Sequence, residues 1–582
     1  MRWLRWGVRL AGWIRPRELQ ATLLWAGLVG FLGGLISLGF RQAIHGVQWL
    51  LTGHSGSLVQ IALDLPPWQR LLVPTVGGLL AGLALQLGAR LTRGQPSTDF
   101  MEAVVVGDGI IRSRSSVVKS VSSLLTIASG GSIGREGPMV QLAAMLASWL
   151  GRLTGLSTAR LRLLVACGAA AGIAAAYNAP IAGSLFVAEI VLGSIAMESF
   201  GPLVFAAVIS ALTCRQLFGA DPVFRTSAFQ LVSPWEVVPY LGLGIMTGVA
   251  APWFLRLLRG SEKLFAALPL PPFARLGLGG LLVGSISLHT PQVWGNGDTV
   301  VNSILLGEWL WPSILVILLA KLMATTATVG SGAVGGVFTP TLFMGAALGC
   351  VLGQAVHPHW PDSTGGPQAY ALVGMGSFLA ATTRAPLMSI LMLFEMTLDY
   401  DIVLPLMLAC VTAFYTARGI EKDSIYAASL RRKQTAPPQP WSQLRVSDLM
   451  KPSFPCVPLT APFTEVTKGF VNHPTDQLGV VTGDNQFCGV VWLHDVKAHL
   501  QDAELGALVT ASDLVRDGVP VLTPQRSLME AMDQFTRHDG DQLPVVNNPD
   551  ERKLVGCISK SDLLLTLAHG VDWEAEQSAN GE

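Results

Sequence analysis

The segment GSIGREGP, residues 131–138, lies in a long apolar stretch, and GGVFTP, residues 335–340, follows about two hundred residues later in similar surroundings. Each segment combines glycines with a proline and predicts a helix that begins at membrane depth. A helix N-terminus presents unpaired N–H groups and about half a positive charge. Within a bilayer such irregular backbone survives only where protein buries it or where it lines a cavity. The two segments therefore indicate an anion pathway.

The composition is that of a membrane protein. Half of the 582 residues are hydrophobic, only 13% are charged, and the mean hydropathy is +0.48. Soluble domains carry about 25% charged residues. Segments 19–40, 163–188 and 322–361 contain no charged side chain, and about 20 apolar residues span a bilayer. The sequence therefore predicts several spans and leaves their number open.

We predict four parts in the chain. Residues 1–18 interleave arginine with tryptophan and predict an amphipathic interfacial helix, whose arginines favour a cytoplasmic N-terminus. Residues 19–430 form the membrane part, 431–444 a proline-rich linker, and 445–570 a soluble tail. Beyond residue 430 there are 20 acidic and 13 basic residues, against 19 and 26 before it. The basic surplus suits anion passage, and flanking of cytoplasmic helix ends explains it equally well.

The membrane part contains an internal repeat. Pro138 is followed 42 residues later by Pro180, and Pro340 is followed 46 residues later by Pro386. A glutamate stands nine residues after the second proline in both halves. Paired interrupted helices are typical of transporter folds that bind substrate near the bilayer midplane.

Pro138 and Pro340 are predicted to occupy the first position of their helices, where the missing N–H would be unpaired in any case. The helices would then cover residues 139–150 and 341–352. Glycine lets backbone approach a ligand without an intervening side chain, and this applies to Gly134, Gly137, Gly335 and Gly336.

Glu136 is the sharpest functional candidate. A charged side chain at the bilayer centre costs about 2.5–3.5 kcal/mol and marks a functional site by default. Beside helix N-termini, Glu136 could act as a tethered anion that a mobile anion displaces or a proton neutralises, which would make it a gate. The alternative is an interfacial glutamate paired with Arg135.

GREGP, GVFTP, the repeat and Tyr426 in DSIYAASL together resemble the CLC family of chloride channels and chloride/proton exchangers. The resemblance implies an α-helical, multi-span inverted-repeat bundle with broken helices, and a homodimer in which each subunit has its own pore. It implies a chloride site at the N–H groups of Val337 and Phe338 and the hydroxyl of Tyr426, with Glu136 as gating glutamate. The anion-pathway motif residues are Gly134, Arg135, Gly137, Pro138, Gly336 and Pro340.

The chain departs from the family pattern at one expected ligand. Family members usually carry a serine whose hydroxyl contacts the central anion, and Gln95 stands at that place. The Gln95 amide is one replacement donor, and Ser97 or Thr98 is another. Anion selectivity therefore stays open.

A second departure concerns proton coupling. Exchangers of the family commonly have an acid as internal proton acceptor where this chain has Ile190, directly after Glu189. Isoleucine cannot carry a proton, so we predict a chloride channel gated by Glu136, with a chloride/proton antiporter as the alternative. Glu189 is expected to support a helix end.

The tail contains a second repeat. VSDLM at 446 returns as ASDLV at 511, and DQLGVV at 476 returns as DQLPVV at 541, both at a spacing of 65. The units are similar to an α/β CBS tandem, which often binds adenine nucleotides. Ser559 and Asp562 fit the nucleotide-contacting pattern, whereas the first unit has Trp492 in place of the hydroxyl and keeps only Asp495. A packing and dimerisation role without ligand is equally open.

Other functions fit less well. There is no nucleophile–base or metal constellation, so we expect no enzyme activity, no metal site and no cofactor apart from the nucleotide in question. No nucleic-acid partner is expected. CBS pairs also occur in cation transporters, but these need clustered membrane carboxylates. We predict a multi-pass protein of a bacterial inner membrane with both termini cytoplasmic.

Overall fold

The computed structural model describes residues 18–91, 99–105, 107–219, 223–224, 226, 229, 232–421, 424–426, 444–473, 475–499, 509–536 and 540–563. The chain forms two compact units, residues 1–433 and 434–582. Residues 1–17 of the predicted N-terminal helix, residues 431–443 of the predicted linker, and Gln95 with Ser97 and Thr98 lie outside the described ranges.

The described part of the first unit is helical. Its first nine α-helices are α1 Glu18–Thr52, α2 Leu58–Asp64, α3 Pro67–Leu91, α4 Phe100–Val105, α5 Ser113–Ala128, α6 Glu136–Leu153, α7 Thr158–Tyr177, α8 Pro180–Leu185 and α9 Met197–Phe218. A π-helical turn, Phe186–Val191, continues α8. The following helices are α10 Val237–Ala267, α11 Pro272–Ser287, α12 Asp298–Leu305, α13 Trp311–Gly330, α14 Phe338–Val356, α15 Pro367–Thr383, α16 Pro386–Thr397 and α17 Val403–Ile420.

Eight helices among the described residues are long and apolar enough to cross a membrane, namely α1, α3, α7, α9, α10, α13, α14 and α17. Helices α8, α11 and α16 are apolar but shorter. Short helices beside full spans are the pattern expected where membrane helices are broken around a binding site. The architecture agrees with the multi-span helical fold predicted from the sequence.

Each half of the repeat contains one closely packed helix pair next to its glycine motif. In the first half, a Cβ atom added to Gly172 on α7 would lie 2.7 Å from the Cα of Val140 on α6. In the second half, a Cβ added to Gly349 on α14 would lie 2.0 Å from the backbone oxygen of Tyr370 on α15. Small residues let membrane helices approach in this way, since lipid supplies little hydrophobic driving force between them.

The tail is an α/β unit. Its described elements are α18 Val446–Leu449, β1 Cys456–Pro458, α19 Phe463–Asn472, β2 Gln477–Val481, β3 Phe487–Trp492, α20 Leu493–His499, α21 Ala511–Leu514, α22 Leu528–Thr536, β4 Gln542–Val546 and β5 Leu554–Ser559. Strand β1 pairs parallel with β2, and β2 pairs antiparallel with β3. Strands β4 and β5 repeat that antiparallel hairpin.

The tail hairpins bury corresponding side chains. Leu478 lies opposite Val491 in the first hairpin, and Leu543 lies opposite Ile558 in the second. Each pair belongs to its own apolar cluster. Leu478 and Leu543 are 65 positions apart, which is the spacing of the sequence repeat.

Gly349→Ala is expected to destabilise the membrane unit by about 1–3 kcal/mol, because the added methyl group overpacks the contact of α14 with α15. The matched control is Gly242→Ala on α10, where an added Cβ meets no atom within 4 Å. Thermal unfolding of the purified protein in detergent measures both. An equal Tm for the two variants would contradict the close contact.

Candidate anion site

The two glycine motifs meet through their backbones. The Gly134 N–H donates to the Gly336 carbonyl at 2.7 Å, and the Gly336 N–H donates to the Gly134 carbonyl at 2.9 Å. Helix α6 begins two residues after Gly134, and α14 begins two residues after Gly336. The antiparallel bridge therefore places two helix N-termini side by side, where their unpaired N–H groups favour an anion.

The carboxylate of Glu136 occupies the start of α14. Its Oε1 accepts a hydrogen bond from the Phe338 N–H at 2.8 Å, and its Oε2 lies 3.4 Å from the Thr339 hydroxyl. Glu136 is only 4% exposed. A buried carboxylate needs donors of this kind to offset its lost hydration.

The Glu136 carboxylate occupies space that side chains at positions 134 and 336 would otherwise fill. A Cβ added to Gly336 would lie 2.1 Å from the Glu136 Oε1, and a Cβ added to Gly134 would lie 2.2 Å from Oε2. Any larger residue at either position would displace the side chain of Glu136. Glycine at these positions is therefore required by the close approach of backbone and carboxylate.

A cavity of about 850 Å³ reaches Glu136. Val337 and Tyr426 also line it, together with four glycine and proline residues of the two motifs, Gly137, Pro138, Gly335 and Gly336. The Tyr426 ring packs edge-on against Phe186, with the ring centroids 5.4 Å apart. The other charged residues in the lining are Asp99, Lys119, Arg259, Glu262 and Arg275. The cavity therefore carries both signs of charge.

Arg135 contacts Asp298, the first residue of α12. Its Nη2 atom lies 3.8 Å from a carboxylate oxygen of Asp298. Together with Arg41, these two residues line a separate cavity of about 130 Å³. Glu136 therefore contacts the start of α14, and Arg135 contacts Asp298 instead of Glu136.

The predicted position of the two prolines is wrong by two residues. Helices α6 and α14 begin at Glu136 and Phe338, so Pro138 and Pro340 stand at the third helical position. The first four N–H groups of a helix have no intrahelical partner, so a proline at the third position costs no hydrogen bond. Because α14 begins at Phe338, the Phe338 N–H has no partner within the helix, and the Glu136 carboxylate accepts its hydrogen bond.

Two glutamates cap helices of the opposite half. Glu189 accepts a hydrogen bond from the Met388 N–H at 2.8 Å, near the start of α16. Glu395 accepts hydrogen bonds from the Ile181 and Ala182 N–H groups at 3.0 and 2.8 Å, near the start of α8. Glu189 thus supports a helix end, as predicted. Ile190 follows it in the π-helical turn, partly buried against the core.

The sequence analysis missed Tyr177 and Thr339. Tyr177 ends α7, and its hydroxyl lies 3.0 Å from that of Thr339. Its ring centroid lies 4.9 Å from that of Phe338. The only sequence signal was a hydroxyl residue inside GVFTP and another just before NAP, in otherwise apolar surroundings.

In the tail, the candidate nucleotide residue Asp562 is held by an ion pair. Its carboxylate lies 2.6 Å from the Lys451 ammonium, and its N–H donates to the Ser559 hydroxyl at 3.1 Å. In the reciprocal pair, Arg516 of the second repeat unit binds Asp495 of the first at 2.6 and 2.8 Å. Lys451 and Arg516 are 65 positions apart, so the second pair repeats the first. The Lys451 ammonium, with help from Ser559, holds the pKa of Asp562 below its usual range.

Comparison with known proteins gives consistent matches. A family model described as voltage gated chloride channel matches residues 77–418, and a CBS domain model matches 446–502 and 511–569. A ClcB-like chloride channel protein of Ralstonia nicotianae is 53% identical over 413 residues, which are 70% of this chain and 96% of that protein. A voltage-gated ClC-type chloride channel ClcB of Escherichia coli is 43% identical over 409 residues, 69% of this chain and 97% of that protein.

Solved structures are similar as well. The structure of a slow cyanobacterial Cl⁻/H⁺ antiporter is 26% identical, with a TM-score of 0.64, and the match covers 72% of this chain and 99% of that one. A eukaryotic CLC transporter matches with a TM-score of 0.62 over 93% of this chain and 97% of that one. At 18% identity, the second match supports the fold alone.

Lys451→Gln is expected to raise the pKa of Asp562 towards its ordinary value, because the variant removes the largest cause of the depression. A carboxyl group whose pKa is lower in the folded than in the unfolded state stabilises the fold at pH values above the unfolded-state pKa, and this contribution disappears as the pH falls through the folded-state pKa. The variant should therefore be less stable than the wild type at neutral pH and equally stable in acid. We expect a loss of about 1 kcal/mol or less for an exposed pair.

Carbon-detected NMR titration of the expressed tail, residues 434–582, measures this pKa. Lys468→Gln on α19 is the control and should leave Asp562 unchanged. An unchanged Asp562 titration in Lys451→Gln would refute the ion pair.

Proposed function

Because this chain belongs to the family of voltage-gated chloride channels, known as the CLC family, we propose that it conducts chloride as a channel gated by the side chain of Glu136. The family match and the helical architecture confirm the resemblance and the fold class predicted from the sequence. The chain is a multi-pass membrane protein of a chloride-transporting family, and its two CBS domains follow the membrane part.

One observation carries the proposal. The Glu136 carboxylate accepts the hydrogen bond of the Phe338 N–H, where a mobile anion would bind. A carboxylate on a flexible side chain is a tethered anion, so it competes with chloride for the same donor. Displacement by chloride, or neutralisation by a proton, would open the site.

The proposed chloride ligands are neutral donors. They are the N–H groups of Val337 and Phe338, the hydroxyl of Tyr426, and the amide of Gln95, which is outside the described residues. Conduction requires binding strong enough to replace water and weak enough to allow release. Neutral donors meet both conditions, whereas a fixed ammonium group would hold the ion.

The residues at and beside the internal proton-acceptor position favour a channel over an exchanger. Ile190 offers no proton acceptor, and the neighbouring Glu189 is engaged by the Met388 N–H. The alternative is a chloride/proton antiporter, which the similarity to the cyanobacterial Cl⁻/H⁺ antiporter supports. In that case protons would pass Ile190 through water.

Simultaneous chloride and proton flux from liposomes separates the two functions. Purified protein is reconstituted with a chloride gradient and an imposed membrane potential. A channel moves chloride with no coupled proton movement. Uphill proton transport driven by the chloride gradient would identify an antiporter.

The same proposal includes the assembly and location implied by the family. We propose a homodimer in a bacterial inner membrane, with cytoplasmic termini.

For the tail, adenine nucleotide would have to compete with Lys451 for Asp562. Equilibrium binding of ATP, ADP and AMP to the tail tests this, and no binding at millimolar nucleotide would exclude it.

Glu136→Gln should make chloride efflux less sensitive to pH and to voltage, because the neutral amide cannot act as a displaceable anion. We expect the ratio of efflux at about pH 3.5 to efflux at about pH 7.5 to fall towards one, since these values lie on either side of the ordinary glutamate pKa of about 4.3. Efflux from liposomes with a chloride electrode is the measurement.

Glu262→Gln is the matched control for this variant, because Glu262 also lines the 850 Å³ cavity. It should retain the pH dependence of the wild type. If Glu136→Gln responded to pH and voltage like the wild type, Glu136 would not be the gate.

A further inference from the structure

A pair of buried hydroxyl groups lies beside the Glu136 carboxylate. The Tyr177 hydroxyl is 3.0 Å from that of Thr339, and the Thr339 hydroxyl is 3.4 Å from the Glu136 Oε2. Tyr177 and Thr339 are 5% and 3% exposed. Neither lines the 850 Å³ cavity, which reaches Glu136 and Val337. The pair therefore contacts the carboxylate from the side that the cavity does not reach.

The hydrogen atoms of the pair can be assigned by counting donors. A threonine hydroxyl has one hydrogen and two acceptor positions. If Thr339 directs its hydrogen at the carboxylate, its oxygen must accept the hydrogen of Tyr177. The two hydroxyls then form a chain of donors that points at the anion, and such chains strengthen each bond through mutual polarisation.

The spacing suits a larger anion better than it suits the carboxylate. Hydrogen bonds between hydroxyl and oxygen are usually about 2.5–3.0 Å long, and 3.4 Å is therefore long for the contact of Thr339 with Glu136. The Phe338 N–H, by contrast, is at an ordinary 2.8 Å. A chloride ion has a larger radius than a carboxylate oxygen, so one ion at this place could contact both donors.

We propose that the Thr339 hydroxyl is a ligand of the chloride ion that replaces Glu136, and that Tyr177 is a positioning residue that keeps the hydrogen of Thr339 directed at the ion. This inference rests on the proposed function, because the ion binds only after Glu136 has left the Phe338 N–H. Thr339 thereby supplies a hydroxyl donor from the same helix start as the Phe338 N–H. The anion crossing the position of Glu136 would have the Phe338 N–H and the Thr339 O–H within reach.

The test uses the full chain with Glu136→Ala, which vacates the site, and chloride as the probe. Isothermal titration calorimetry in detergent measures the chloride Kd of the Glu136→Ala protein, which we call the parent. The same measurement is made on double variants that carry Glu136→Ala together with Thr339→Val, Thr339→Ser or Tyr177→Phe. Valine has the shape of threonine without the hydroxyl, and serine keeps the hydroxyl. We expect Thr339→Val to weaken binding about tenfold, the effect of losing one hydrogen bond to a charged group.

The other variants separate a ligand role from packing. Thr339→Ser should restore the parent Kd to within about twofold, and Tyr177→Phe should weaken binding about threefold, because it removes only the polarising donor. Tyr370→Phe is the matched control, since Tyr370 is a fully buried tyrosine on α15, and it should leave the Kd unchanged. Size-exclusion profiles identify any variant that fails to fold, and Tyr177→Phe then tests the proposal independently.

The outcomes distinguish this inference from the function on which it rests. If Glu136→Ala alone binds chloride no more tightly than the wild type, the gate is wrong and this inference fails with it. If the parent gains affinity and Thr339→Val binds equally well, only this inference is wrong. It is also wrong if Thr339→Ser binds as weakly as Thr339→Val, because the residue would then act through packing.

Discussion

The membrane unit depends on the backbone bridge between Gly134 and Gly336. Two hydrogen bonds of 2.7 and 2.9 Å join segments two hundred residues apart and bring the starts of α6 and α14 together. Unpaired N–H groups buried without water are costly. The Phe338 N–H is one such group, and the Glu136 carboxylate accepts its hydrogen bond. In the proposed open state a mobile anion accepts this hydrogen bond instead. The buried N–H groups that cost the fold free energy are therefore the groups that we propose to bind the anion.

Contacts between the two halves of the membrane unit hold those two helix starts in place. Glu189 and Glu395 each cap a helix of the opposite half, so the two halves are tied by reciprocal hydrogen bonds. Glycines let the backbones of α14 and α15 approach each other closely. Arg135 is engaged near Asp298, which leaves backbone N–H and hydroxyl groups as the donors around Glu136. Such donors bind an anion without trapping it.

The tail uses charge in another way. Lys451 and Arg516 occupy corresponding places in the repeat, and each binds an aspartate of the other repeat unit, Asp562 and Asp495. The two crossed pairs link the two repeat units. A nucleotide that bound through either aspartate would have to displace its ion pair.

The sequence by itself determined the class of fold, the repeat and the family, and it singled out Glu136 as the candidate gate, because uncharged spans, glycine–proline segments and a carboxylate at membrane depth are local features. It also indicated that Glu189 supports a helix. Only the tertiary structure decided which donors Glu136 meets, since the Phe338 N–H and the Tyr177–Thr339 pair come from segments brought together by folding. The helices were predicted to begin at residues 139 and 341, three residues later than they do. A proline fits any of the first four positions of a helix, whose N–H groups have no intrahelical partner, so the sequence alone does not show which of these positions the proline occupies, and only the folded chain does.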